Sequence, residues 1–460
     1  MVKKGARLIV HDHRTNTGPA DETAIAMRFS RRTNWNTEET ELAHAYRLRR
    51  QAGLPIADLT ASNPTRCGFT YPASLLDALA DPRAFDYDPQ PRGLLDARRA
   101  VCSYYSGHGV TLDPNQIVLT TSTSEAYSFL FRLLCDADSE ILVLQPGYPL
   151  FDFLAVLDDV HLKAAPLIYD HGWQIDVEGI RRAISPRTRT IVVVHPNNPT
   201  GHFTKPWEAA ALAALCREFH LSLIVDEVFL DYAIEPTLAK HKPGVPHVRG
   251  PHGQVLVRGV EVPTLGRGIA HSQFGITRPA TFAAGLEGVP VFVVSGLSKI
   301  AGLPQMKAAW LVATGPDQRA ALDRLEVIAD TFLSMNASTQ WALPHWLASA
   351  PGLQDQIRKR VAANLSALDS RLPALPEVEQ LVVEGGWYAV LRIPAIEPDE
   401  QTVLALLDRG VWVHPGYFFD MKESGWLVLS LLAPELEFSQ GVTALINYFR
   451  THQGSNTEEG

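Results

Sequence analysis

"VFVVSGLSKIAGLP", residues 291–304, carries a buried-looking strand straight into a lysine. An apolar run, 291–294, passes into a polar turn and then a lysine, Lys299, followed by Gly302 and Pro304. A primary amine where a buried strand ends is costly unless its charge is used or its pKa is lowered. The same pattern fits a strand that stops at an ordinary solvated turn, so the stretch is weighed with its neighbours.

Working outward, three similar runs precede it: "EILVLQPG" (140–147), "TIVVVHPNNPTG" (190–201) and "SLIVDEVF" (222–229). A helical pattern, "KPWEAAALAALCREFH" (205–220), lies between the last two. Further upstream, "GHGVTLDPNQIVLTTSTSEAYSFLFRLLCD" (107–136) reads as turn, short strand, polar turn and helix, with Ala126, Phe129, Leu130, Leu133 and Leu134 on one helical face. Continuous Val/Ile/Leu runs alternating with helices predict an α/β fold around a mainly parallel sheet buried on both faces. The segment 35–53 predicts a helix ending at Gly53. Beyond about residue 316, helical patterns (317–335 and 354–372) are followed by short strands, "WYAVLRI" (387–393), "VWVHPG" (411–416) and "GWLVLSLL" (425–432), which predict a smaller α+β lobe. The expected division is a loose segment 1–28, the N-terminal part of the small lobe 29–80, a large domain 81–335, a C-terminal small domain 336–452 and a tail 453–460.

The chain has 460 residues, 46% of them hydrophobic and 20% charged, with a net charge of -9. That balance suits a globular protein and argues against nucleic-acid binding, since no basic excess exists to neutralise phosphates. No apolar run reaches the roughly 18 residues that would cross a bilayer, and the first 24 residues, whose apolar stretch is only "LIV", do not read as a signal peptide. Cys67, Cys102, Cys135 and Cys216 are widely spaced, without metal-type pairs, which predicts free thiols and a cytoplasmic protein.

In open α/β sheets ligands bind at the carboxyl ends of the strands, and polar groups collect there. "TTSTSEA" (120–126) opens a helix whose amides and hydroxyls could hold an anion or simply cap the helix. "HPNNPTG" (195–201) places Asn197 and Asn198 after a strand, as a site or as an Asn-Pro turn. Asp226 ends an apolar run, where a carboxylate needs a cationic partner. An anion cradle, an amide, a buried carboxylate and a lysine together suit one organic cofactor, pyridoxal 5'-phosphate. "GLSKIAG" lacks the Gly-Lys-Ser/Thr of a nucleotide-binding loop.

The ordered set "YDPQPRG" (87–93), "TTSTSEAY" (120–127), "PGYPLF" (146–151), "NNPTG" (197–201), "DEVFLDY" (226–232) and "SGLSK" (295–299) resembles the class I/II aminotransferases, pyridoxal-phosphate enzymes of fold type I, over roughly residues 55–435. The resemblance implies that Lys299 forms the internal aldimine and shuttles the proton, and that Asp226 pairs with the ring nitrogen. It implies that Asn198 bonds the ring hydroxyl oxygen and that Tyr148 stacks on the ring. Thr121, Ser122, Thr123 and Ser298 would hold the phosphate, and Tyr87 would reach the phosphate of the neighbouring subunit of a homodimer. It also makes Pro146 and Pro199 candidates for cis peptide bonds. The activity implied is transfer of an amino group from an amino acid to a 2-oxo acid; the alternatives are a C–S β-lyase or decarboxylase on the same fold, or a catalytically silent cofactor-binding protein.

Several positions depart from that pattern. Phe229 stands where the family has tyrosine, which removes a hydroxyl and is expected to raise the pKa of the imine. Lys307 replaces a phosphate-anchoring arginine, giving a point charge in place of a bidentate fork. Val428 stands where the family's C-terminal lobe grips the substrate carboxylate with arginine. Arg66 is the substitute expected from the N-terminal segment, with Arg392 a weaker candidate and main-chain amides with Asn198 a further route. Between Asp226 and Lys299 an insertion is expected at about 236–280; its His241, His247, His252 and His271 lack zinc-type spacing, so no metal is expected.

Overall fold

The computed structural model describes residues 27–234 and 280–454, with side chains described as far as residue 451. The segment read as loose at 1–28, save its last two residues, the expected insertion with its four histidines, save Ala280, and residues 455–460 of the tail lie outside the described residues.

Among the described residues, fourteen strands follow in chain order: β1 (Ala57–Asp58), β2 (Ile117–Thr120), β3 (Glu140–Gln145), β4 (His161–Tyr169), β5 (Trp173–Ile175), β6 (Thr188–Val194), β7 (Ser222–Asp226), β8 (Val291–Gly296), β9 (Ala309–Thr314), β10 (Glu379–Gln380), β11 (Tyr388–Arg392), β12 (Val411–Trp412), β13 (His414–Pro415) and β14 (Trp426–Ser430). The large sheet has eight strands in the order β2-β9-β8-β7-β6-β3-β4-β5. Its pairings are parallel from β4 through β3, β6 and β7 to β8; β9 is antiparallel to both β8 and β2, and β5 is antiparallel to β4. Every strand but β5 and β9 therefore runs the same way, and their carboxyl ends share one edge.

The continuous apolar runs are continuous because both faces are covered. Alternate side chains point to opposite faces, so Leu223 and Val225 of β7 join one core and Ile224 the other, while Leu142 and Ile141 of β3 divide the same way. Full burial of each such side chain contributes about 1.5–3 kcal/mol relative to exposure. Asp226 is the charged residue at the end of β7, after the apolar run Leu223–Val225.

The second lobe is built on an antiparallel sheet, β10-β11-β14-β13. The N-terminal segment joins it through the parallel pair β1 and β12 and through Ser430 N, which donates to Leu59 O at 2.6 Å. One helix, Ala337–Arg371, runs through Pro344 and Pro351, well upstream of the helical pattern read at 354–372. Its Leu343, Trp346 and Leu353 are buried, so packing outweighs the proline penalty of about 3 kcal/mol per residue.

Strand β11 is reached through a segment fastened to the large lobe. Gly386 N donates to Tyr232 O at 2.9 Å and Ile234 N to Glu384 O at 2.8 Å. Gly385 permits this approach: a Cβ there would stand 2.5 Å from the Phe203 ring and 2.8 Å from Tyr232 O. Among the described residues, no helix is long and apolar enough to cross a membrane.

Candidate active site

The site lies along the shared carboxyl edge of β2, β8, β7, β6 and β3. Asp226 closes β7 opposite Val294 of β8, and β8 leads directly into the turn that carries Lys299. The turn is clamped by main-chain bonds: Tyr232 Oη donates to Lys299 O at 2.6 Å, Tyr71 Oη to Gly302 O at 2.8 Å and Gln354 Nε2 to Ile300 O at 3.0 Å. The backbone of Lys299 is thereby fixed while its amine stays free to work.

Burial pulls the Lys299 amine down to about 8, against the opposing pull of Asp226 and Cys67. Its Nζ lies 4.9 Å from the centroid of the Trp387 ring and 5.6 Å from that of Phe229. Burial also pushes the Asp226 carboxyl up to about 6, opposed by Val228 N, Tyr127 and Lys299. Val228 N donates to Asp226 Oδ1 and Tyr127 Oη to Oδ2, each at 3.0 Å. The carboxylate is thus oriented on both oxygens and still undersupplied with positive charge, as a group awaiting a cation would be.

Tyr127 belongs to the helix Thr123–Leu134, whose N-terminus sits at the end of β2. Ser122 caps that helix, its Oγ accepting from Glu125 N at 3.2 Å. Thr121 donates its amide and its hydroxyl to Glu125 Oε2, at 2.7 and 3.1 Å. Glu125 thus takes both donors of Thr121, which removes it from the free donors at this terminus, and Ser124 in the first turn stands beside Ser122 and Thr123 instead. Ser298 is partly exposed next to Lys299, and Lys307 is exposed with φ at +51°.

Asn198 follows β6 and is buried, and its Oδ1 has no hydrogen-bond partner among the described residues. Asn197 is turned to its own loop, accepting from Thr200 Oγ1 at 2.8 Å. Tyr148 follows β3 with its ring 44% exposed. The peptide bonds preceding Pro146 and Pro199 are cis, as is the one preceding Pro196. Tyr87 is 83% exposed in the single chain.

The candidates for substrate recognition separate. Val428 is fully buried within β14, between Val390 and His414. Arg392 is occupied away from Lys299: it pairs with Glu379 Oε2 at 3.1 Å and lies over the Tyr169 and Trp426 rings. Arg66 is exposed, beside the buried Cys67 whose thiol feels the charge of Lys299.

Sequence reasoning missed Tyr127, Trp387 and Tyr232. Tyr127 shares the buried side of its helix with Ala126, Phe129 and Leu130, so in sequence it reads as one more core residue, and Trp387 meets Lys299 from 88 residues away (387 − 299). Only "DEVFLDY" carried a sign of Tyr232.

Taken together, the parallel sheet with a lysine and a carboxylate at adjacent strand ends defines an α/β enzyme built for amine chemistry. The family model for aminotransferase class I and II matches residues 73–436, and the chain belongs to that family. It is 25% identical over 427 residues to an alanine aminotransferase of Mycobacterium bovis, covering 89% of each chain. In structure it resembles an alanine aminotransferase from Pyrococcus furiosus, with TM-score 0.76 and 21% identity over 92% of this chain and all of that one, and a Thermus thermophilus aspartate aminotransferase mutant, with TM-score 0.72 and 21% identity over 92% and 100%. The activity is that of a transaminase.

The residues fit the family's cofactor, pyridoxal phosphate. A lysine with a lowered pKa, an oriented buried carboxylate, the buried amide of Asn198 at the end of β6 and a helix N-terminus with hydroxyls in its first turn form the set of groups it needs.

Proposed function

We propose that the chain acts as a homodimer that holds pyridoxal 5'-phosphate and moves an amino group from an amino acid to a 2-oxo acid. The observation that carries this reading is the placement of Lys299 just beyond β8 and of Asp226 at the end of the adjacent β7, with Tyr127 and Val228 N orienting the carboxylate.

Pyridoxal phosphate, when bound, supplies an aldehyde that condenses with amines and a ring that accepts electrons. Lys299 Nζ, with an appreciable neutral fraction near pH 7, would be the amine that holds the cofactor through its aldehyde and the base that moves the proton at the substrate α-carbon. Asp226, held by Tyr127 and Val228, would place its negative charge toward the ring nitrogen and favour a proton there. Asn198 would bond the ring hydroxyl oxygen and Tyr148 would cover a ring face. The amides of Ser122 and Thr123, the hydroxyls of Thr123 and Ser298, and Lys307 hold the phosphate at a helix N-terminus. Phe229 packs beside Lys299 without contributing a hydroxyl.

Tyr87, with Phe85 close by and 94% exposed, is assigned to the dimer, reaching the phosphate site of the partner. Arg66 is assigned to the substrate carboxylate, since Val428 leaves β14 without a cation and Arg392 is engaged elsewhere.

The test is to mix the cofactor-loaded protein with single amino acids and record its visible spectrum. Conversion to the pyridoxamine form, reversed by a 2-oxo acid, is expected and identifies the donor. Release of ammonia with the original band restored would replace the reading with a lyase.

A further inference from the structure

His202 is buried just past the turn that carries Asn198. The turn closes on it: Gly201 N donates to Asn197 O at 2.8 Å and Asn197 N to His202 O at 2.9 Å. Both ring nitrogens of His202 face carboxylates. Nε2 lies 3.0 Å from Glu208 Oε2, and Nδ1 lies 3.6 Å from Glu384 Oε2. Glu208 is in the first turn of the helix Pro206–Phe219 of the large lobe, and Glu384 belongs to the segment that leads into β11. One imidazole thus stands between the two.

A neutral imidazole carries one N–H and one bare nitrogen. Either tautomer would aim a lone pair at a carboxylate oxygen, whereas the imidazolium presents a donor to each. Both carboxylates are fixed as acceptors. Glu208 takes Ile175 N on Oε1 at 2.8 Å and Lys205 N on Oε2 at 2.7 Å, while Glu384 Oε2 takes Phe203 N at 2.9 Å and pairs with Lys205 Nζ. With His202 protonated, two carboxylates meet two cations, the balance that buried charges need. Burial opposes the charge on His202, but Glu208 and Glu384 outweigh burial and the repulsion of Lys205, and the imidazole is held above its ordinary 6.5. Nearby His195 stays neutral: burial draws it down to about 3, and its Nδ1 accepts from Thr204 N at 3.1 Å while Nε2 donates to Ala280 O at 3.2 Å.

Glu384 precedes Trp387 by three residues, and the Trp387 ring lies 4.9 Å from Lys299 Nζ. Gly385, between them, lies against the Asn198 turn: a Cβ on Gly201 would stand 2.5 Å from Gly385 O. We propose that His202 works as an imidazolium that holds the approach to β11 against the Asn198 turn, so that its proton sets how firmly Trp387 is seated over the Lys299 amine. His202 is then a positioning residue, acting through Glu384. The tie is made by the chain's own side chains and stands apart from the cofactor reading.

The charged form holds Glu384, so the tie is complete below the ordinary histidine range and is lost as pH rises through the raised value. The test is hydrogen exchange read by mass spectrometry on the full chain, wild type against His202→Gln, at pH 6 and pH 9. Gln keeps a donor and removes the charge. The amides to follow are those of Phe203, Ile234 and Gly386, which bond Glu384 Oε2, Glu384 O and Tyr232 O. At pH 6 the variant should exchange there about tenfold faster, the worth of one hydrogen bond to a charged group. At pH 9 the two proteins should agree, with peptides from β3 unmoved throughout. Lys299 titrates in the same range but is present in both, so its effect cancels. Equal exchange at pH 6, or a difference that persists at pH 9, overturns the proposal.

Should His202→Gln fail to fold, the unmutated protein decides. Among its 16 histidines, nitrogen-15 spectra should show an imidazole that keeps both protons above pH 7. Exchange at the three amides, corrected for its intrinsic rise with pH, should accelerate as that imidazole titrates. No such imidazole, or exchange that does not follow it, overturns the proposal.

Discussion

The hydroxyl of Tyr127 stands 3.0 Å from Asp226 Oδ2 and donates to it. One helix thus does two things: its N-terminus offers amides at the end of β2, and one turn later its tyrosine orients the carboxylate at the end of β7. Phosphate anchor and ring-nitrogen partner are set by the same rigid element, so their separation is built into the helix.

Tyr127→Phe removes that donor and leaves the ring. Asp226 then turns more freely and its carboxyl moves further up. Pyridoxal phosphate should bind about tenfold more weakly, as expected from ~1.4 kcal/mol for one hydrogen bond to a charged group. Equilibrium dialysis measures this, and equal affinity in the two proteins would contradict the role given to Tyr127.

Lys299→Met tests the lowered amine. The amine titrates at about 8 in the folded chain and at 10.5 ordinarily. Between those values the unfolded chain binds more protons than the folded one, so the wild type gains stability as pH rises from about 8 to 10.5. Below pH 8 the cofactor-free wild type should be less stable than the variant by up to roughly 3 kcal/mol, the gap closing through that window. Urea unfolding of both proteins at pH 7 and pH 10 reads it out; a constant difference would mean that the amine is not perturbed.

Glu384→Gln tests the fastening behind Trp387. Burial pushes this carboxyl up, but His202 and Lys205 outweigh burial and hold it at about 2. Its contribution is present above about pH 4.5 and lost as pH falls toward 2. The variant should be less stable by about 1–3 kcal/mol at pH 7, with the difference shrinking on acidification. Melting curves at pH 7 and pH 4 check the trend, and a difference that grew in acid would have the wrong sign.

Arg66→Ala should raise the KM for the amino acid at least tenfold with little change in kcat, as loss of a uniform binding contact does. Arg392→Ala should leave both constants within about twofold, since surface changes away from the site rarely matter. Steady-state kinetics on the pair separates them. The reverse pattern would return Arg392 to the site.

How much of the fold and site is legible in sequence follows from which contacts are local. Lys299, Asp226 and Asn198 are each announced by a buried parallel strand that ends in a polar residue, and a parallel sheet covered on both faces writes itself as continuous apolar runs. Thr121 reads as an anion donor because "TTSTSEA" does not show Glu125 folding back onto it. Arg392 reads as a candidate cation because nothing local shows Glu379 opposite it on β10. The helix through Pro344 and Pro351 extends further upstream than its sequence pattern suggests, because proline disfavours a helix interior. Burial of Leu343, Trp346 and Leu353 in the core offsets that preference. Trp387 reaches Lys299 through a lobe-to-lobe contact, which no periodicity encodes.

The most direct measurement of the central claim is borohydride treatment of the pyridoxal-phosphate-loaded protein, followed by proteolysis and mass spectrometry. Borohydride fixes the cofactor to the amine with which it has condensed. The account predicts a phosphopyridoxyl label on the peptide containing Lys299 and its loss in Lys299→Met. A label on another lysine, or none on a protein that binds the cofactor, would contradict it.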